Sequence, residues 1–261
     1  MPSSLLYFLK FLTNMLMRIL MFWRFLYSIY FHLAKTLVII FFGGSIILVC
    51  SLLTLFFVPR PIRETVSYHM GVAWGSTILF LSGIRVQFYN EAALEPGKHY
   101  VFAGNHQSSF DIYLFFKYLP QSFRWIAKKE LLYIPFLGWA MYFMGQVFVP
   151  RSDSQKAAFA LKKALEKIKA GISIAIFPEG TRSPDGNLLP FKPGAFALAR
   201  LSRLDIVPVV IKNAHRVAPK GKFVLDPRVK VELKILKTLS HKDKEAAEKV
   251  RDYYLEELKQ K

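Results

Sequence analysis

From Thr36 to Val58 the chain runs for 23 residues without a charged side chain. As an α-helix this stretch would be about 34 Å long, enough to cross the hydrocarbon of a bilayer. Pro59-Arg60-Pro61 stops it, and Gly43 and Gly44 inside it permit a bend or close helix packing. Residues 3–35 are also apolar, but charge interrupts them. At 100° per residue, Lys10, Thr13, Asn14, Arg18, Arg24, Ser28, His32 and Lys35 fall within an arc of roughly 140°. A narrow cationic stripe on a wide apolar helix is the pattern of a segment lying among lipid headgroups. A cleaved signal peptide is the poorer reading: the segment is too long, too evenly charged and lacks a small-residue cleavage site. Basic residues flank the uncharged run at both ends, so the positive-inside rule does not orient it. Two arrangements stay open, a true crossing or a helical hairpin of 3–35 against 36–58 dipped into one leaflet. The interfacial first helix favours the hairpin. Residues 1–60 are therefore expected to be a membrane-associating helical hairpin, and residues 61–261 an α/β domain.

The second part is long enough for one domain with a full core. Apolar residues make up 53% of the chain and aromatics 15%, which excludes disorder. There are 36 basic and 18 acidic residues, a net charge of +18. Such an excess suits nucleic acid, an anionic membrane or a phosphorylated substrate. No nucleic-acid motif accompanies it, so no nucleic-acid partner is expected. The single cysteine, Cys50, lies in the apolar run, so no intramolecular disulfide can form and no thiol metal site is indicated.

Beyond the head, Ile62–Gly83 reads as a helix of mixed polarity. Strands are expected at 85–89, 100–103, 123–127, 146–149, 172–177, 206–211 and 229–235. Helices are expected after Ser109, over 153–170, from Pro193 through Ala199, and over 241–261 as a charged, exposed element. Short helical pieces are expected between Tyr133 and Met144. Strands alternating with helices indicate an α/β fold, a mixed, largely parallel sheet flanked by helices.

Two polar turns follow buried strands in this pattern. In the first, Asn105-His106-Gln107-Ser108-Ser109-Phe110-Asp111, a serine can cap the following helix and Asp111 falls in its first turn. A carboxylate bonded to one imidazole nitrogen fixes the tautomer and leaves the other nitrogen free as a base. A helix start merely dressed with His and Asp would look the same. The second turn, Phe177-Pro178-Glu179-Gly180-Thr181-Arg182-Ser183, follows the strand at 172–177.

Taken together, the two stretches resemble the glycerolipid acyltransferases, most closely the bacterial 1-acylglycerol-3-phosphate acyltransferases. The H-x-x-x-x-D block falls on His106 and Asp111, and the F-P-E-G-T-R block on residues 177–182. Two weaker blocks, Gly145–Arg151 and Ile206–Ile211, agree in order and spacing, so the likeness covers roughly residues 70–215. It implies acyl transfer from a thioester, acyl-CoA or acyl carrier protein, to the hydroxyl of a lysophosphatidate acceptor in the membrane, making phosphatidate. No cofactor beyond that co-substrate is implied. His106 is then the base and Asp111 its support. Arg151, Arg182 and Lys128 are the expected phosphate ligands, with Lys129 a further candidate, and Glu179, Gly180 and Thr181 complete the acceptor site. Ser108 and Ser109 are weaker candidates as nucleophiles, since no G-x-S-x-G elbow surrounds them. Backbone N–H groups at the start of the helix from 109 are expected to serve the oxyanion. The other histidines singled out, His69, His99, His215 and His241, read as structural or exposed, and no metal set is evident. The resemblance also implies attachment to the cytoplasmic face of a bacterial inner membrane. Acylation of another lysolipid or of glycerol 3-phosphate, and a silent basic membrane scaffold, are the competing readings. The sequence gives no oligomeric state.

Overall fold

A computed structural model of the chain describes residues 3–149, 162, 164–166, 168, 169 and 171–259. Seven strands form one sheet: β1 (Val86–Asn90), β2 (Val101–Gly104), β3 (Phe123–Lys128), β4 (Val147–Val149), β5 (Ser173–Ile176), β6 (Ile206–Lys212) and β7 (Val231–Ile235). Their spatial order is β1-β7-β6-β2-β5-β3-β4. Every neighbouring pair is parallel except β6–β7, so the sheet is mixed and largely parallel, as the alternation of elements predicts. The central strands are buried on both faces: Val101, Phe102 and Ala103 of β2 and Val207, Val209 and Ile211 of β6 are almost wholly sealed. Doubly covered parallel strands need such unbroken apolar runs. In β7, Val231, Leu233 and Ile235 are buried while Glu232 and Lys234 are not, the period of two expected of a strand with one wetter face.

α3 (Phe110–Tyr118) follows β2 and buries Phe110, Leu114, Phe115 and Phe116. A 3-10 turn (Lys129–Tyr133) and α4 (Leu137–Phe143) fill the stretch before β4. The described part of the helix expected over 153–170 is helical, with Ala164 and Ile168 buried. α5 (Gly194–Ser202) precedes β6, and the short α6 (Ala214–Val217) follows it. The last helix, α7 (Ala246–Lys259), starts later than expected and is not simply exposed. Ala246, Val250 and Tyr254, spaced by four, form a buried stripe, and the Tyr254 hydroxyl donates to the carbonyl of Ala103 in β2.

The head departs from the expected hairpin. α1 (Ser3–Leu55) is one continuous 53-residue helix, about 80 Å long at 1.5 Å per residue. Nothing at Ala34-Lys35-Thr36 opposes helix, and the Thr36 hydroxyl bonds back to the His32 carbonyl, as helical Thr commonly does. The chain reverses only at Pro59, where α2 (Arg60–Ser82) begins with proline in its first turn. α2 returns along α1, with Cys50 Sγ 3.4 Å from Ser67 Oγ and the Tyr27 hydroxyl donating to the Ser82 carbonyl. The two-helix packing therefore exists, but between α1 and α2.

α1 has two unlike parts. Tyr7, Phe11, Leu16, Met21 and Trp23 stand exposed on its first half. From Ser28 onward one face is core: Phe31, Ile46 and Cys50 are buried, and Phe31 stacks on Phe110 of α3 at 5.4 Å. Gly43 lets the helix pass against the chain before α4, where a Cβ would lie 3.0 Å from the Phe136 carbonyl oxygen. Contacts thus cross the boundary drawn at residue 60. By length and apolarity, the segment Tyr7–Thr54 is able to cross a membrane. Removing residues 1–23 is expected to leave the melting temperature in detergent micelles nearly unchanged, because residues 7–23 are almost all exposed. Phe31→Ala should cost about 3–5 kcal/mol, the usual range for a buried aromatic, in chemical denaturation of the full chain. An unaffected Phe31→Ala would show that α1 does not belong to the core.

Candidate active site

The sheet order explains how distant sequence blocks meet. β6, β2, β5 and β3 are neighbours and run the same way. Their carboxyl ends therefore deliver, side by side, the chain after Lys212, the His106 turn, the Glu179 turn and Lys128. Ligands of open α/β sheets lie at this edge.

The His106 turn is organised around Asp111, whose side chain is fully buried. Asp111 Oδ2 accepts from the backbone N–H of Gln107 at 2.7 Å and of Ser108 at 2.8 Å, and from His106 Nδ1 at 2.7 Å. A carboxylate oxygen ringed by donors requires the proton on Nδ1, so Nε2 carries the free lone pair. The expected serine cap takes another form, since Asp111 itself gathers the loose N–H groups. Ser108 Oγ accepts only a long bond from Phe110 N, at 3.4 Å, and donates to the Ala218 carbonyl at 3.2 Å. Ser108 is sealed from solvent, with its hydroxyl engaged inside the fold. The N–H groups of Gln107 and Ser108 are committed to Asp111, which leaves only donors further along for an oxyanion. The His106 ring lies flat on Phe177, centroids 3.9 Å apart and planes within 2°, and Trp125 also stacks on Phe177, at 4.9 Å.

Glu179 takes a different role from the expected contact with acceptor. It is 3% exposed. Its Oε1 accepts from His106 N at 2.7 Å and its Oε2 from Leu189 N at 2.9 Å, so both oxygens brace backbone rather than face substrate. Ser183 N adds a bond to the His106 carbonyl at 2.8 Å. Burial pushes the Glu179 carboxyl up to about 7, against the pull of its two backbone donors, and the nearby Asp111 charge adds to the rise. Gly180 has φ +70°, the left-handed region, and a Cβ there would also press on Lys192 at 3.0 Å.

Thr181 and Arg182 follow, and with His106, Ser109, Lys128 and Lys220 they line the polar mouth of a cavity of about 450 Å³. Much of the remaining wall is apolar, from Ile39 and Ile46 of α1, Trp74 of α2, Phe116 of α3 and Met141 of α4. Lys128 is only loosely engaged, with Glu130 at 3.9 Å. Lys129 is exposed and lies outside the lining. Arg151 lies outside the described residues. His215 bonds Gln107 and His241 bonds Asp205, as structural histidines do. Among the described residues no group of three or more His, Cys, Asp or Glu side chains converges as a metal site would. Sequence reasoning missed Lys220, which sits in no motif, and the contribution of α1 to the cavity, because a helix read only as an anchor offers no sign of it.

The brace can be tested. Glu179→Gln offers one acceptor oxygen where two N–H groups need them, at a cost of about 1–3 kcal/mol for the unmatched donor. The folded chain holds a proton on Glu179 up to about 7, whereas the ordinary value is 4.5. Its contribution to stability therefore falls as pH rises between these values and levels off above them. Denaturation of Glu179→Gln across that range is expected to lack this slope.

The acyltransferase family model matches residues 85–212. The 1-acyl-sn-glycerol-3-phosphate acyltransferase of Saccharomyces cerevisiae is 36% identical over 253 residues, 91% of this chain and 79% of that protein. The alpha form from Homo sapiens is 36% identical over 137 residues, covering 52% of this chain and 48% of its own. The chloroplastic LPAT1 of Arabidopsis thaliana is 41% identical over 121 residues, and the aligned part spans about a third of that longer protein (34%). Among solved structures, the crystal structure of the 1-acyl-sn-glycerophosphate (LPA) acyltransferase PlsC from Thermotoga maritima superposes with a TM-score of 0.75 at 28% identity, covering 90% of this chain and 96% of that one. A His–Asp turn and a Phe-Pro-Glu-Gly-Thr-Arg turn at the carboxyl edge of this sheet, together with these similarities, establish that the chain belongs to the acyltransferase family that includes the 1-acyl-sn-glycerol-3-phosphate acyltransferases.

Proposed function

We propose that this O-acyltransferase moves a fatty acyl group from a thioester, acyl-CoA or acyl carrier protein, to the free hydroxyl of 1-acylglycerol 3-phosphate, making phosphatidate. The observation that carries the reading is the position of His106. Its ring lines the same cavity as an apolar wall and the cations Arg182, Lys128 and Lys220. The cavity suits an acyl tail, and the cations suit a phosphate, with the Arg182 guanidinium able to bind it bidentately.

His106 Nε2 takes the proton of the acceptor hydroxyl as its oxygen attacks the thioester carbonyl. Asp111 holds the imidazole in the required tautomer and stabilises the imidazolium that forms. The tetrahedral oxyanion collapses, the carbon–sulfur bond breaks, and the departing thiolate takes the proton back from the imidazolium. No acyl-enzyme is needed. The N-terminus of α3 points its dipole at this region and favours the developing negative charge.

The acceptor and product are lipids, so α1 and its apolar exposed face hold the enzyme where they diffuse. The basic surface gathers anionic lipid and attracts an acidic carrier protein or coenzyme A. A water-soluble cytoplasmic donor places the catalytic edge on the cytoplasmic face of the membrane, the inner membrane if the source is bacterial.

Purified full-length protein, offered labelled 1-acylglycerol 3-phosphate, another lysolipid or glycerol 3-phosphate with each thioester, should acylate the first best. Inactivity with all three would leave only the scaffold reading. His106→Ala should lower kcat by about 10²–10⁴ while leaving the melting temperature within a few degrees. Arg182→Ala should mainly raise the acceptor KM, and an unchanged acceptor KM would remove it from the phosphate site.

A further inference from the structure

Beyond the expected phosphate ligands, one cation at the cavity mouth has no place in any motif. Lys220 sits on the loop after α6, which leaves the carboxyl end of β6 beside the His106 strand. Its Nζ lies 3.2 Å from Thr181 Oγ1 and donates to the Arg182 carbonyl at 3.0 Å. Among the described residues no carboxylate pairs with it. An exposed ammonium that borders the catalytic cavity, with only neutral oxygens to hold it, is free to receive an anion.

The loop holds Lys220 in place from two sides. At its start, the Ala218 carbonyl accepts from Ser108 Oγ of the catalytic turn. Asp226 N then bonds the Val217 carbonyl at 2.9 Å and closes the loop. At the far end, Leu225 is buried and its N–H donates to Ser28 Oγ of α1 at 2.9 Å, while Phe223 stacks on His32 at 4.5 Å. Arg24 of α1 pairs with Asp226 at 3.5 Å. The loop is therefore pinned between the catalytic turn and the membrane helix, and its free cation faces the site.

We propose that Lys220 is a third ligand of the acceptor's phosphate, gripping it from the β6 side of His106 while Arg182 and Lys128 grip it from the β5 and β3 sides. Three cations favour a phosphate monoester, which carries up to two negative charges, over a phosphodiester headgroup, which carries one. Lys220 is then a specificity determinant for the acceptor. The proposal rests on the acyl-transfer reading above.

The experiment compares wild type, Lys220→Met and Lys220→Arg as full chains in detergent micelles, varying 1-acylglycerol 3-phosphate and the thioester separately. Lys220→Met keeps the aliphatic stem and removes the charge. It should raise the acceptor KM about tenfold, the effect of one charged hydrogen bond, with the thioester KM and kcat within about twofold. Lys220→Arg should recover most of the loss. An unchanged acceptor KM in Lys220→Met overturns the proposal. So does a fall in kcat with no change in acceptor KM, which would make Lys220 a brace for the Arg182 turn. A wild type that does not acylate 1-acylglycerol 3-phosphate overturns the underlying function instead, so the two failures are told apart.

Discussion

The site depends on one buried carboxylate that collects donors. Asp111 Oδ2 takes the Nδ1 proton of His106 and the N–H groups of Gln107 and Ser108, all within 2.8 Å. Without that oxygen, three donors would be left in a sealed environment, and each unpaired buried donor is costly. The same bonds set the path of the turn, start α3 and choose the imidazole tautomer. One interaction therefore sets both the fold of the turn and the state of the imidazole. Glu179 repeats the device one strand away, tying His106 to Leu189 through their N–H groups. The two acids hold the turns of β2 and β5 together, and the bond from Ser183 N to the His106 carbonyl completes the join.

Around this centre the polar and apolar demands of the reaction are separated in space. Cations come from the ends of β3 and β5 and from the loop after β6, while the apolar wall comes from α1, α2, α3 and α4. A helix long and apolar enough to cross a membrane also forms part of the wall of the cavity, so the apolar head and the α/β part are packed together from Ser28 onward.

Much of this was legible in the residues. The apolar runs marked the strands to within a residue or two because strands covered on both faces are built mostly of apolar side chains. His106 and Asp111, five apart at a helix start, announced their bond, since that spacing lets the first turn fold back on the strand end. Three expectations failed for identifiable reasons. The hairpin at residue 35 was inferred from a change in polarity, but polarity does not break a helix and proline does. The last helix looked exposed because its charges outnumber the stripe of Ala246, Val250 and Tyr254 that buries it. Glu179 sat in a motif full of functional groups, and nothing in the motif revealed that both its oxygens face backbone N–H groups.

The sequence by itself determined which segments become strands and helices, where the chemistry-bearing turns lie, and that an apolar helix leads the chain. Those features are local, set by side-chain period, by proline and glycine, and by short-range hydrogen bonds. Only the tertiary structure decided the strand order β6-β2-β5-β3, which brings Lys220, His106, Arg182 and Lys128 to one edge, and the seating of α1 against Phe110. These depend on pairings between residues about 50 to 105 positions apart in this sheet. Such pairings are chosen by the collective burial of whole faces, and no short stretch of sequence carries that information.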